Sequence, residues 1–150
     1  EAIRYVEENF ESLDAMLQQF ERTDGSNSGY LAALAYSYLQ SGRDLEFKKL
    51  IDALAESVER RKVARDESLG AILNSMDLAA LTGTDEEVLT QVQRLIDNNG
   101  VGVRLFDAPI YDRMADNAEF QKLNAILVKR ANDERAKLGL DPYQRALSNN

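Results

Sequence analysis

Twenty-six carboxylates, with no histidine and no cysteine, set the chemistry open to this 150-residue chain. That composition excludes thiol nucleophiles, histidine-assisted triads, imidazole proton shuttles and the usual zinc sites. Carboxylate chemistry remains. Asp77 with Asp85, and Asp112 with Asp116, are the pairs that could set a general acid beside a general base. Such a pair needs an enclosure that drives its two pKa values apart. The sequence predicts no closed pocket, and Asp112 and Asp116 flank the charged Arg113. No catalytic residue is assigned, and the chain reads as a non-enzyme. Asp24, Ser26 and Ser28 alternate ahead of Gly29, as in the first half of a calcium loop. The position that needs a bidentate Glu is Ala35, so no metal ligand set is assigned. Asn99-Gly100-Val101-Gly102 lacks the Lys-Ser/Thr and the preceding strand of a phosphate-cradling loop, so no cofactor is expected. The run Arg60-Arg61-Lys62 with Arg65 could meet an acidic partner; the simpler reading is cations facing the negative end of a helix dipole.

The net charge of −8 sets the field in which these groups act. An acidic surface repels phosphate backbones and anionic membrane surfaces, so nucleic acid is not an expected partner of this domain. No apolar run approaches the ~20 residues of a membrane span, and no signal peptide is visible. The length is that of one domain. The chain opens at Glu1, without Met and inside a helical pattern, and reads as an excised piece of a longer protein. The absence of cysteine leaves cytoplasm and periplasm both open.

The elements that must position these residues are helical. A short phrase recurs: Ser41-Gly42-Arg43-Asp44, and 41 residues later Thr82-Gly83-Thr84-Asp85. Each follows a small, apolar helical segment. Each opens a second one with an apolar stripe, Phe47, Ile51 and Leu54 in the first copy and Val88, Val92 and Leu95 in the second. Gly42 suits a left-handed residue after a helix end and Asp44 suits an N-cap; Gly83 and Asp85 repeat that logic. The spacing predicts a first helix over 1–22, striped by Ile3, Val6, Phe10, Leu13, Leu17 and Phe20. That stripe suits packing on the next helix, with a coiled-coil seam as the other reading. A loop follows over Thr23 to Gly29. A first helical pair is expected over 29–63 and a second over 66–98, the two sharing one apolar spine. Asn98-Asn99-Gly100 stops the second pair. A terminal cap is expected over 103–138, with a turn near Val103 to Phe106, a short helix Ile110 to Ala115 and a last helix Ala118 to Leu138. A loose tail over 141–150 ends the chain.

The pair Tyr30–Gln40 and Asp44–Leu54 resembles a tetratricopeptide repeat. Leu31, Leu34, Ala35 and Tyr38 stand where that motif carries its first large residue, its Leu, its small residue and its Tyr. Phe47 and Leu54 depart from the preferred Ala, and Ile51 replaces an aromatic. In the second pair Ile72 fits, while Ser75 stands in the Leu position, Met76 in the small one and Ala79 in place of Tyr. The spacing of 41 exceeds the usual 34 and leaves HEAT-like pairing open. The segment Leu105–Leu123 is similar to the last unit of such arrays in bacterial regulators, through Asp107, Pro109, Asp112, Arg113, Asp116 and Phe120. The resemblance covers roughly residues 28 to 138. It implies an all-α helical-hairpin array with a C-terminal capping helix, and interaction rather than catalysis. It also implies a larger protein of signalling or transcription regulation, of the winged-helix regulator, cyclase or kinase kinds.

In that geometry the first helix of each pair lines an inner face. The residues expected on a partner groove are Tyr36, Gln40, Asn74 and Asp77. A protein or peptide is the expected partner. A small-ligand sensory domain and a non-catalytic accessory part of an enzyme are the alternatives. A homodimer through an exposed array end is the further possibility the first helix raises.

Overall fold

The computed structural model describes residues 1–21, 28–100 and 107–143, and among them all regular structure is helical. In chain order these are α1 (Ala2–Asn9), α2 (Leu13–Glu21), α3 (Ser28–Gln40), α4 (Asp44–Val63), α5 (Leu69–Thr82) and α6 (Asp85–Asp97). A 3-10 helix (Pro109–Met114) and α7 (Ala118–Lys137) follow. α3 packs along α4, and α5 along α6. α5 also lies against both α3 and α4; α1 rests on α3, the 3-10 helix on α5, and α7 on α6.

The expected first helix is two helices. Phe10 is extended, at φ −133 and ψ 144. Ser12 restarts the helix: its Oγ accepts from the Ala15 N–H at 3.1 Å, as an N-cap does. A coiled-coil seam needs a continuous helix, and this break removes it. The stripe still finds a core, because α1 rests on α3. Ile3, Phe10, Leu13, Leu17 and Phe20 pack around buried Val6 and Met16. Of the calcium-like loop, 23–27 lies outside the described residues, while Ser28 and Gly29 open α3.

The two glycine corners are built differently. At the first, Gly42 is left-handed, at φ +69. The Gly42 N–H donates to the Leu39 carbonyl at 3.1 Å and the Arg43 N–H to the Tyr38 carbonyl at 3.0 Å. That pairing satisfies the last carbonyls of α3. Asp44 does not cap α4. Arg43 holds the N-cap position without a side-chain bond, and Asp44 is the first helical residue, a negative charge at the positive end of the dipole. At the second corner Gly83 is extended (φ −94, ψ −170) and Thr84, not Asp85, is the cap. Thr84 Oγ1 accepts from the Glu87 N–H at 3.2 Å, and the Thr84 N–H donates to Glu87 Oε2 at 2.7 Å. This reciprocal box satisfies two amides at once. Gly83 is there for closeness. A Cβ would stand 3.0 Å from the Ala79 carbonyl oxygen and 2.5 Å from Glu87 Oε2.

Two apolar clusters result. One gathers Val6, Met16, Leu31, Leu34, Ala35, Tyr38 and Leu50; the larger is centred on Ile72, Met76, Val88, Val92 and Leu95. Ala32 and Leu54 of the first hairpin belong to the larger cluster, and Leu81 packs against both. Each fully buried Leu or Ile side chain contributes about 1.5–3 kcal/mol relative to exposure.

At the end of α6, Asn99 takes the left-handed position at φ 55 and the Gly100 N–H donates to the Leu95 carbonyl at 2.8 Å. The expected turn at 103–106 lies outside the described residues. The short helix is a 3-10 turn opened by Pro109, whose missing N–H costs nothing there. Asn117 caps α7 by accepting from the Glu119 and Phe120 N–H groups, both at 3.0 Å. The tail is held at its start. The Tyr143 N–H donates to Asn132 Oδ1 and Arg135 Nε to the Asp141 carbonyl, both at 2.6 Å.

Candidate partner groove

Of the four residues expected on an inner face, Gln40 is exposed and Tyr36 is half-buried against the larger cluster. Asn74 and Asp77 are buried, 1 % and 5 % exposed, so they do not line an open groove. The reason is the 3-10 helix. Tyr111, 2 % exposed, donates its hydroxyl to Asp77 Oδ1 at 2.5 Å and stacks on Phe120 at 6.3 Å between centroids. Arg113 Nη2 donates to the carbonyls of Ala79 at 3.1 Å and Gly83 at 2.8 Å, and its Nη1 lies 3.5 Å from Asp85. Arg113 thus closes the end of α5 and fastens the second corner. Burial pushes the Asp77 carboxyl up to about 6, against the lowering effect of the Tyr111 hydroxyl. Burial, followed by the Asp77 charge, pushes the Tyr111 phenol well above its ordinary value.

Neither carboxylate pair shares an enclosure. Asp77 is buried under Tyr111 while Asp85 is exposed beside Arg113; Asp112 and Asp116 are both exposed. Among the described residues no cluster of three or more potential ligands could hold a metal.

The far side of α5 is open. A groove of about 870 Å³ runs between α4 and α6. Its floor is Ala71, Ser75, Leu78, Ala79 and Thr82 of α5. Ser75 Oγ donates to the Ala71 carbonyl and Thr82 Oγ1 to the Leu78 carbonyl, both at 2.9 Å. With those hydroxyls turned onto the helix backbone, the floor offers small, largely apolar surface. The rim is ionic, and most of its charges are paired within the chain. Arg61 meets Asp66 at 2.8 Å, Arg94 meets Glu67 at 3.0 Å and Lys62 meets Glu59 at 3.6 Å. The basic end of α4 is therefore part of this rim, and its cations face acids of the same chain.

A counterpart lies 41 residues earlier in sequence. Ser75 and Ala79 correspond by that interval to Leu34 and Tyr38, which are 0 % and 1 % exposed. A pocket of about 450 Å³ remains there, bounded by Val6, Phe10, Leu13, Tyr38, Arg43 and Lys49. The Arg43 guanidinium sits 4.7 Å over the Tyr38 ring. Glu7 and Glu46 hold it there, each at 2.6 Å. Beside α3 that face is covered by α1 and α2, whose Val6 and Met16 are buried with Leu34 and Tyr38, whereas the face of α5 that carries Ser75 and Ala79 stands open. The signal for this was in the sequence, at the two positions where Ser and Ala stand in place of Leu and Tyr.

Comparison of the chain with protein families, with curated proteins and with solved structures finds no match. Among the described residues no helix is long and apolar enough to cross a membrane.

Proposed function

We propose that this chain is a protein-interaction module of the helical-hairpin array kind. In this reading it takes two turns of a partner helix, anchored by one large apolar or aromatic side chain, into the groove between α4 and α6. The observation that carries this is the contrast at equivalent positions: Leu34 and Tyr38 are buried under α1 and α2, whereas Ser75 and Ala79 lie on the floor of an open groove of about 870 Å³. A helix about 10 Å across, rising 1.5 Å per residue, fits that space over about seven residues. A small-residue floor with a polar rim favours an anchor-in-groove contact, in which a buried aromatic supplies most of the energy. A rim open to solvent favours a peptide over a small molecule, which is held in a more enclosed site. The order of packing supports an array, since α5 of the second hairpin lies against both helices of the first. Within a larger regulatory protein, as the tetratricopeptide resemblance implies, such a module supplies contact and not chemistry.

The test transplants the large pair of α3 onto the open floor of α5. Helical 12-residue peptides selected from a random display library on the full chain are measured against wild type and against the Ser75→Leu/Ala79→Tyr double variant. The reading expects binding to fall at least tenfold in the double variant, with its circular dichroism and melting unchanged. Equal affinity for both proteins would refute it.

A further inference from the structure

The groove leaves one buried ionisable group without a role: Asp77, on the other side of α5. Its carboxyl is 5 % exposed and sits where the 3-10 helix seats on α5. Among the described residues its hydrogen-bond partner is the Tyr111 hydroxyl, and no cation touches it. Among the described residues the neighbouring elements supply no other charge to it. α3 carries no charged side chain and presents Tyr36. The charged groups of α4 and α6 that approach α5 (Glu59, Arg61, Lys62, Glu87 and Arg94) line the groove on its far side. On the 3-10 helix Asp112 is exposed, and Arg113 is committed to the Ala79 and Gly83 carbonyls and to Asp85.

We propose that the Asp77–Tyr111 contact is a proton-controlled latch: with the carboxyl neutral the 3-10 helix stays seated on α5, and with it ionised the seat loosens. A buried carboxylate held by a single hydroxyl is under-solvated, and lifting Tyr111 lets water reach it. The carboxyl is pushed up to about 6 when covered, and returns toward 3.8 when the segment lifts. The covered state therefore binds the proton more tightly, so opening grows as pH rises between those two values. The opening equilibrium should increase about 25-fold between pH 4.5 and pH 7.5 on that difference. Loosening uncovers the face of α5 that holds Asn74 and Asp77. It does not depend on the partner groove.

The measurement is amide hydrogen exchange on the full chain, corrected for intrinsic rates, at pH 4.5 and pH 7.5. The amides of Tyr111 and Ala115, which donate to Ala108 and Asp112, report the 3-10 helix; that of Arg43, which donates to Tyr38, is the internal reference. Wild type should lose about 25-fold protection at Tyr111 and Ala115 with Arg43 unchanged. Asp77→Asn should be flat. Tyr111→Phe keeps the carboxyl but removes its donor, so the midpoint should move upward. A direct titration of the Asp77 carboxyl carbon by NMR should give a midpoint near 6 in wild type. Flat protection in wild type, a parallel drop at Arg43, persistence of the drop in Asp77→Asn, or a carboxyl midpoint at or below 4 would each overturn the latch.

Discussion

α3 and α5 are each the first helix of a hairpin, yet α1 and α2 cover a face of the one, and a groove of about 870 Å³ lies open along the other. Beside α3, Leu34 and Tyr38 are buried with Val6 of α1 and Met16 of α2, and Glu7 and Glu46 clamp Arg43 over the Tyr38 ring. Beside α5 stand Ser75 and Ala79, on the floor of the open groove. The difference shows how much of a hairpin's surface is left uncovered when small residues stand at those two positions. Large residues there consolidate a hairpin; small ones leave surface uncovered. The second hairpin recovers stability elsewhere, through the Thr84–Glu87 box, the Arg113 contacts and an Arg130 Nη1 that donates to the Ile96 carbonyl at 2.6 Å.

The largest expected effect comes from emptying the covered face of α3. Tyr38→Ala removes a fully buried aromatic and the surface on which Arg43 rests, and should cost about 3–5 kcal/mol in urea unfolding. A loss below about 1 kcal/mol would mean that Tyr38 is not what packs that face. The corners come next. Gly83→Ala drives a Cβ against the Ala79 backbone and the capping Glu87, and should cost about 1–3 kcal/mol. Gly42→Ala meets open space and pays only for a left-handed alanine, about 1 kcal/mol. If Gly42→Ala is the worse of the two by thermal melting, the distinction between the corners fails. Thr84→Ala should lose about 1 kcal/mol of cap, where Arg43→Ala at the equivalent position loses no cap bond. The smallest effect belongs to the open floor. Ser75→Ala should change stability by less than about 0.5 kcal/mol, since its hydroxyl only returns to its own helix.

Helices α3 to α7 were legible from periodicity, and small polar residues marked their ends. Gly42 and Asn99 signalled left-handed positions, and Asn117 stands just ahead of α7. The break at Phe10 was not legible, because the three-and-four spacing of the stripe runs across it unchanged. Only Ser12, a competent cap, hinted at a restart. The exposure of Asn74 and Asp77 was misjudged for a different reason. Helical spacing shows which side chains share a face, but not what covers that face, and over Asp77 the cover is Tyr111, 34 residues further on. Likewise Asp44 and Asp85 occupy the first helical position where a dipole favours acid, one residue past the caps they were expected to be. The open groove was written in Ser75 and Ala79 as absences of bulk, which register as departures from a pattern and become a groove only because α4 and α6 stand apart.

The two sides of α5 separate the competing sites in a single experiment. A selected helical peptide is titrated into the isotopically labelled full chain and backbone amide shifts are followed by NMR. The account predicts that the shifts concentrate at Ser75, Leu78, Thr82 and Gln91, with Tyr36 and Gln40 still. Shifts centred on Tyr36 and Gln40, or on Leu45 and Lys49 beside the covered face of α3, would contradict it.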